Sequence, residues 1–218
     1  IVMGNCGVGF APAKPTPEVH DWLIGMLEGV EDIPGTALAE GLTWDWETFP
    51  DYLDALDRRH YAIDVATQVA HAPLRAYVMG ERGADPNEAP SVDELTRMAA
   101  AVRDGMRAGA LGFTTSRTFV HRTRDGEFLG TRFSSADELI ALGTAMAETG
   151  SGVIQLISDA YQSTDTEYAR AEMDLMAHLA RSTGRPLSMT VQQPEMLPDR
   201  WREMGEWVDR NVAQGAKL

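Results

Sequence analysis

The sequence contains almost no lysine and a single cysteine. Of its 19 basic side chains only Lys14 and Lys217 are lysines, and both lie outside the strands predicted below. An enzyme that forms a Schiff base needs a lysine in its site, so this scarcity disfavours an aldolase-type barrel. One cysteine, Cys6, cannot form an intrachain disulfide. That is typical of a reducing compartment, and we expect a cytoplasmic protein.

The sequence also lacks an excess of positive charge and a long apolar run. Its formal net charge is −14, which disfavours nucleic acid as a partner because phosphate binding needs clustered lysine and arginine. No segment approaches the roughly 20 apolar residues that span a bilayer, so we expect no membrane partner. The chain opens without an initiator methionine, and we expect the parent protein to extend in both directions.

Five apolar segments have the character of buried strands, and a helical pattern follows each of them. They cover residues 1–3, 62–66, 110–115, 152–157 and 185–191, and we expect the second strand to end near His71. This alternation predicts an α/β fold with a parallel sheet. A complete barrel of eight such units takes about 250 residues. We therefore predict a partial (β/α)8 TIM-type barrel over residues 1–218, with about five of the eight strand–helix units.

An open, doubly wound sheet is the structural alternative. No Gly-x-Gly-x-x-Gly motif follows a predicted strand, which disfavours the dinucleotide-binding form of that fold.

Three helix starts carry local signals. Thr16 precedes Pro17, which is typical of an N-cap followed by proline at the first helical position. Ser91 with Glu94, and Ser135 with Glu138, each have the spacing of a capping box.

In parallel α/β folds, ligands bind at the carboxyl ends of the strands. That rule selects Asn5, Cys6 and His71, together with residues 115–117, 158–159 and 190–192. Cys6 lies between glycines just after an apolar run, where it is either a metal ligand, a nucleophile or a small buried residue. His71 either binds metal or moves a proton in catalysis, or it holds a loop by hydrogen bonding.

The loop over residues 117–132 concentrates positive charge in an acidic chain. Its cationic and imidazole side chains are Arg117, His121, Arg122, Arg124 and Arg132, against Asp125 and Glu127. Guanidinium binds carboxylate with two parallel hydrogen bonds, so one interpretation is a carboxylate-binding loop. We take Arg117, His121 and Arg122 as its substrate-binding candidates. The alternative is a solvated loop with its own salt bridges.

Several segments resemble the N-acyl-D-amino-acid deacylases, or D-aminoacylases, of the amidohydrolase superfamily. The resemblance begins with Gly-Asn-Cys-Gly at residues 4–7 and runs to about Gln155. It includes residues 28–34, residues 44–52, His-Ala-Pro-Leu-Arg at 71–75 and Gly-Ala-Leu-Gly-Phe-Thr-Thr at 109–115. The cysteine segment followed by the His71 segment is its most specific part.

The resemblance implies a metal-dependent barrel that hydrolyses the amide of N-acyl-D-amino acids, with residues 1–218 as the central part of the barrel domain. It implies that Cys6 binds Zn²⁺, that an arginine holds the substrate carboxylate, and that the partner is a small N-acyl amino acid or related amide. It also implies zinc-binding histidines at the ends of the fifth and sixth barrel strands. Residues 154–159 and 188–193 occupy those places and contain no histidine.

Two functions follow as expectations. The first is a hydrolase of non-peptide C–N bonds in the full-length parent, with the isolated chain inactive because its metal ligands and general base are incomplete. The alternative is a non-catalytic barrel that binds a small carboxylate through the loop at 117–132. Within the first function, His71 is our candidate catalytic residue.

Overall fold

The strands of this protein form parallel ladders whose order in space follows their order in the chain. The computed structural model describes residues 1–218. The strands are β1 (Val2–Met3), β2 (Ala66–Thr67), β3 (Val69–Ala70), β4 (Gly112–Arg117), β5 (Val153–Ser158) and β6 (Leu187–Met189). β1 pairs with β2, and β3, β4, β5 and β6 pair in that order, all in parallel.

β2 and β3 are separated by Gln68 alone, so one extended segment joins the two ladders. The spatial order therefore never reverses, whereas a doubly wound sheet has a point at which it does. The predicted α/β class with parallel strands is confirmed.

Eight α-helices connect or flank the strands. They are α1 (Pro17–Glu31), α2 (Gly35–Gly41), α3 (Phe49–Asp57), α4 (His71–Met79), α5 (Val92–Ala108), α6 (Ala136–Ala147), α7 (Thr166–Thr183) and α8 (Arg200–Ala213). None is both long and apolar enough to cross a bilayer. The predicted starts of α1 and α5 are confirmed, since the Thr16 hydroxyl accepts from the Val19 N–H and the Ser91–Glu94 capping box is complete.

The second predicted strand ends near His71 as expected, but its predicted start at residue 62 is wrong. The paired segment begins only at Ala66, where it meets Val2 of β1, and Ile63 is 55% exposed. The alternation of apolar residues before Ala66 therefore does not reflect burial against a neighbouring strand. The other strands agree with prediction to within a few residues: the segment predicted at 110–115 forms β4 at 112–117.

The sequence patterns missed α2 and α4. No residue of α2 is buried, so it has no apolar stripe to detect. α4 is the opposite case, because eight of its nine residues are buried and no polar face alternates with an apolar one.

The main core lies between one face of the sheet and the surrounding helices. Phe113 of β4 and Leu156 of β5 belong to this core and are fully buried, together with Met98 of α5 and Leu142 of α6. Successive residues of a strand point to opposite faces. Thr114 and Ser116 therefore face away from this core, and they position the site described next.

Candidate functional site

The segment after β1 is a tight turn at residues 4–7, here called the Cys6 turn. Gly4, Cys6 and Gly7 all have positive φ, with Cys6 at 56°. The Cys6 N–H donates to Oε1 of Gln155 at 2.6 Å, and Nε2 of Gln155 donates to Sγ of Cys6 at 3.8 Å. The side-chain amide of Gln155 in β5 thus holds both the backbone and the thiol of Cys6.

The neighbouring strand β4 fixes the other half of the Cys6 turn. The Gly7 N–H donates to Oγ1 of Thr114 at 3.0 Å, and the Thr114 hydroxyl donates to the carbonyl of Gly4. A Cβ placed on Gly7 would lie 2.7 Å from the backbone nitrogen of Ser116, so only glycine allows this approach. The Cys6 turn therefore rests directly on the face of β4 formed by Thr114 and Ser116.

The Cys6 thiol is half-buried in this position. Burial raises its pKa above the ordinary value, the hydrogen bond from Gln155 lowers it, and the charge of Glu31 raises it, with burial the largest effect. A thiol with a raised pKa is protonated at neutral pH and is a weak nucleophile.

His121 is hydrogen-bonded to Ser116, whose backbone adjoins the Cys6 turn at Gly7. Its Nδ1 is 2.9 Å from Oγ of Ser116, and 9% of the residue is exposed. Burial lowers the pKa of His121, against a smaller opposite effect from Asp159, so the imidazole is neutral at pH 7. The structure thus places two of the predicted site residues, Cys6 and His121, on the same face of the sheet.

Asp159, just after β5, anchors the loop that carries His121. Its carboxylate accepts from the Thr118 hydroxyl at 2.5 Å and from the Phe119 N–H at 2.9 Å, and Arg132 pairs with it at 2.9 Å. Both ends of the loop are therefore tied to the carboxyl end of the sheet. The sequence placed Asp159 at a strand end but gave no sign of these partners.

His71 lies on the other face of the sheet. Its Nδ1 is 2.9 Å from Oγ1 of Thr115, and its Nε2 is 3.0 Å from Oε1 of Glu138. Burial lowers the pKa of His71 and outweighs the opposite effect of Glu138. The neutral ring donates to the carboxylate and accepts from the hydroxyl of Thr115. Because both ring nitrogens are occupied and the side chain is fully buried, this placement argues against the predicted catalytic contact with substrate.

Glu138 joins a buried network in place of the predicted second capping box. The Ser135 hydroxyl accepts from the Glu138 N–H at 3.2 Å, as expected, but the carboxylate turns to His71 and to Nη1 of Arg75 at 2.5 Å. Burial by itself raises the pKa of Glu138, but the contacts from His71 and Arg75 outweigh it and lower that pKa to about 2.

Arg117 also faces the helices. Its Nη2 lies 2.6 Å from Oε1 of Glu172 in α7, and its Nη1 donates to the carbonyl of Ser134 at 2.5 Å. Since these partners occupy the guanidinium, its placement argues against the predicted contact with a substrate carboxylate.

Arg122 differs from the other arginines of the loop. Arg117, Arg124 and Arg132 each lie within 4.0 Å of a carboxylate, whereas Arg122 has no carboxylate partner. Its guanidinium donates to the carbonyls of Phe119 and Gly126 and stacks 3.9 Å from the centre of the Phe128 ring. Arg122 is thus the loop arginine whose charge is not neutralised by an acidic neighbour.

The residues around Cys6 do not fit a complete zinc centre. No three His, Cys, Asp or Glu side chains in the chain are grouped so that they could hold a metal ion. The side chain in contact with the thiol is the amide of Gln155, whereas structural and catalytic zinc sites use three or four sulfur, imidazole or carboxylate ligands. Residues 1–218 therefore do not contain a complete set of zinc ligands around Cys6.

The chain is similar in sequence to two deacylases. It is 34% identical to a D-aminoacylase of Alcaligenes xylosoxydans xylosoxydans over 116 residues, which is 53% of this chain and 20% of that protein. It is 34% identical over 123 residues to an N-acyl-D-glutamate deacylase of the same organism, covering 55% of this chain and 21% of the relative. The matched region thus spans about a fifth of the length of these relatives.

A solved structure gives a wider match. The N-acyl-D-glutamate deacylase of Bordetella bronchiseptica, complexed with zinc and a phosphonate inhibitor that mimics the tetrahedral intermediate, superposes with a TM-score of 0.67 at 25% identity. The match covers 99% of this chain and 39% of that one. The resemblance to the N-acyl-D-amino-acid deacylases is confirmed. A model of the amidohydrolase family matches residues 2–217, and the chain therefore belongs to the amidohydrolase family.

Proposed function

We propose that the full-length protein containing this chain hydrolyses the amide bond of N-acyl-D-amino acids. The observation that carries the proposal is the Cys6 turn, which Gln155 and Thr114 hold against the face of the sheet to which His121 is also bonded, through Ser116. The similarity to a D-aminoacylase and to an N-acyl-D-glutamate deacylase supports this substrate class. The five parallel strand segments are then part of a barrel, with the Cys6 turn on its inner face.

Arg122 and His121 are the proposed substrate-binding residues. An N-acyl amino acid carries a free carboxylate, and a guanidinium without an acidic partner is suited to bind it. Arg122 meets that requirement, and His121, which precedes it in the chain, has its ring bonded to Ser116 on the face of β4 that carries the Cys6 turn. His71 and Arg117 are not among the proposed substrate contacts, because their polar atoms are occupied by buried partners.

A zinc ion is proposed for the full-length protein only, on the basis of the zinc complex of the similar deacylase. Cys6 would be the contribution of this chain, and further ligands would have to come from outside residues 1–218. Since the residues present do not complete the site, we assign no reaction step to the metal.

The second candidate function is a relative that binds N-acyl amino acids without hydrolysing them. The observation that favours it is the amide of Gln155 in contact with the Cys6 thiol, where a metal site would need a further ligand. Both candidate functions predict that the protein binds the same carboxylate. Only the first predicts that the bound compound is hydrolysed.

The test is turnover and metal content of the full-length protein. We expect hydrolysis of N-acetyl-D-glutamate or N-acetyl-D-methionine in preference to the L-enantiomers, with zinc bound. Both properties should be lost in Cys6→Ala and retained in Ser182→Ala, a change at an exposed position of α7. A folded protein that binds these compounds but does not hydrolyse them would establish the second candidate instead.

A further inference from the structure

Among the five histidines of the chain, His121 is the one whose ring is hydrogen-bonded to the face of β4 on which the Cys6 turn rests, the face formed by Thr114 and Ser116. Its partner there is Ser116, whose backbone nitrogen would lie 2.7 Å from a Cβ at Gly7. His71 is bonded on the opposite face of the sheet, and His178 lies exposed on α7. His121 is therefore our candidate for imidazole chemistry on this face of β4.

The two ring nitrogens of His121 have different surroundings. Nδ1 is held by the hydroxyl of Ser116, a residue that is 1% exposed. Nε2 has no hydrogen-bond partner in the protein, and it is not among the fully buried side-chain atoms left without one. Nε2 therefore remains accessible for a contact with a ligand.

The ring is fixed before any ligand arrives. Ser116 is part of β4, and Asp159 ties Thr118 and Phe119, the start of the His121 loop, to the end of β5. A side chain fixed in this way loses little conformational freedom on binding, so a hydrogen bond to it contributes more of its energy to affinity.

We propose that Nε2 of His121 makes a direct hydrogen bond to the bound N-acyl amino acid, and that Ser116 is the residue that positions the ring for this contact. The ligand chemistry is that of a small amide with a free carboxylate, either of whose polar groups can pair with a neutral imidazole. The identity of the ligand rests on the proposed function. The role of Nε2 is a separate claim about this chain.

Two substitutions separate this role from a merely structural one. The amide nitrogen of asparagine can occupy the place of Nδ1, so His121→Asn preserves the bond to Ser116 and removes Nε2. In His121→Gln, the amide nitrogen of glutamine can occupy the place of Nε2, but the hydrogen bond to Ser116 is lost. In the full-length protein we expect His121→Asn to lower kcat/KM for N-acetyl-D-glutamate about 10- to 100-fold, the range for a hydrogen bond to a charged group. His121→Gln should retain more activity than His121→Asn.

His178 provides the matched control. Its Nδ1 also faces a serine hydroxyl, Ser182 at 3.4 Å, but it lies on the exposed side of α7. His178→Asn should leave kcat/KM within twofold of the wild type. If His121→Asn is as active as the wild type while His121→Gln is impaired, the histidine serves only to bond Ser116 and the proposal is overturned.

A second readout distinguishes failure of this proposal from failure of the proposed function. If the wild type hydrolyses neither enantiomer, the hydrolase proposal fails, and the ring signals of His121 are followed by NMR during titration with N-acetyl-D-glutamate. A shift of the His121 signals, with those of His178 unchanged, supports the contact at Nε2. Unchanged His121 signals up to millimolar ligand overturn it.

Discussion

Nε2 of His71 lies 3.0 Å from Oε1 of Glu138, and the same oxygen is 2.5 Å from Nη1 of Arg75. All three side chains are at most 2% exposed. The contact joins the start of α4 to the first turn of α6 across Thr115 of β4. These hydrogen bonds thus link two helices to the strand that they cover, on the face of the sheet away from the Cys6 turn.

Glu138→Gln should destabilise the protein by about 3 kcal/mol, since removing one partner of a buried ion pair leaves the other charge, here Arg75, uncompensated. The measurement is urea unfolding followed by circular dichroism. Glu148→Gln is the control, because Glu148 also pairs with an arginine but is 51% exposed. Its cost should stay below about 1 kcal/mol. Equal losses in the two variants would contradict the buried network.

The same network predicts how stability depends on pH. The pKa of Glu138 falls from 4.5 to about 2 on folding, so the unfolded chain binds more protons between these values and stability decreases as pH falls through that range. His71, whose pKa is lowered from 6.5, adds a loss of the same sign that begins near pH 6.5. The unfolding free energy of the wild type should therefore decline below pH 6.5 and again below 4.5. In Glu138→Gln, the decline below pH 4.5 should be smaller; an unchanged slope there would count against a charged Glu138.

Gly7→Ala should be far more damaging than Gly126→Ala. Both glycines have positive φ, 74° and 84°, so each substitution carries a backbone cost of about 1–2 kcal/mol. A Cβ at Gly7 would also lie 2.7 Å from backbone atoms of Thr115 and Ser116, whereas nothing lies within 4 Å of one at Gly126. We expect thermal unfolding to show an additional loss of roughly 1–3 kcal/mol for Gly7→Ala, typical of overpacking. Similar melting temperatures in the two variants would show that the Cys6 turn can move away from β4.

Arg122→Ala should weaken substrate binding, whereas Arg117→Ala should lower the free energy of unfolding. Arg122 has no carboxylate partner, so its loss should raise KM for N-acetyl-D-glutamate about 10- to 100-fold with little change in stability. Arg117→Ala leaves the buried Glu172 unpaired and should cost about 3–5 kcal/mol. Steady-state kinetics and urea unfolding of the two variants decide the question. An unchanged KM in Arg122→Ala would remove this residue from the substrate site.

Local signals in the sequence were sufficient for much of the fold. Thr16 and Ser91 cap their helices as predicted because a capping hydroxyl reaches only two or three residues along the chain. The apolar segments predicted most of the strands because burial of a parallel sheet requires them. The sequence did not locate the exact start of each strand. One strand was predicted to begin at residue 62, but its pairing begins at Ala66, because pairing depends on a neighbour that is distant in sequence.

The sequence by itself determined the α/β class and the resemblance to the deacylases, and it selected Cys6 as a candidate site residue. Only the tertiary structure decided which of the other candidates lie on the same face of the sheet as Cys6. Within β4, Ser116 faces the Cys6 turn and Thr115 and Arg117 face the helices, since successive side chains of a strand point to opposite sides. The partners that occupy His71 and Arg117 are 67 and 55 residues away in sequence. Contacts over such distances form when helices pack on the sheet, and no local pattern encodes them.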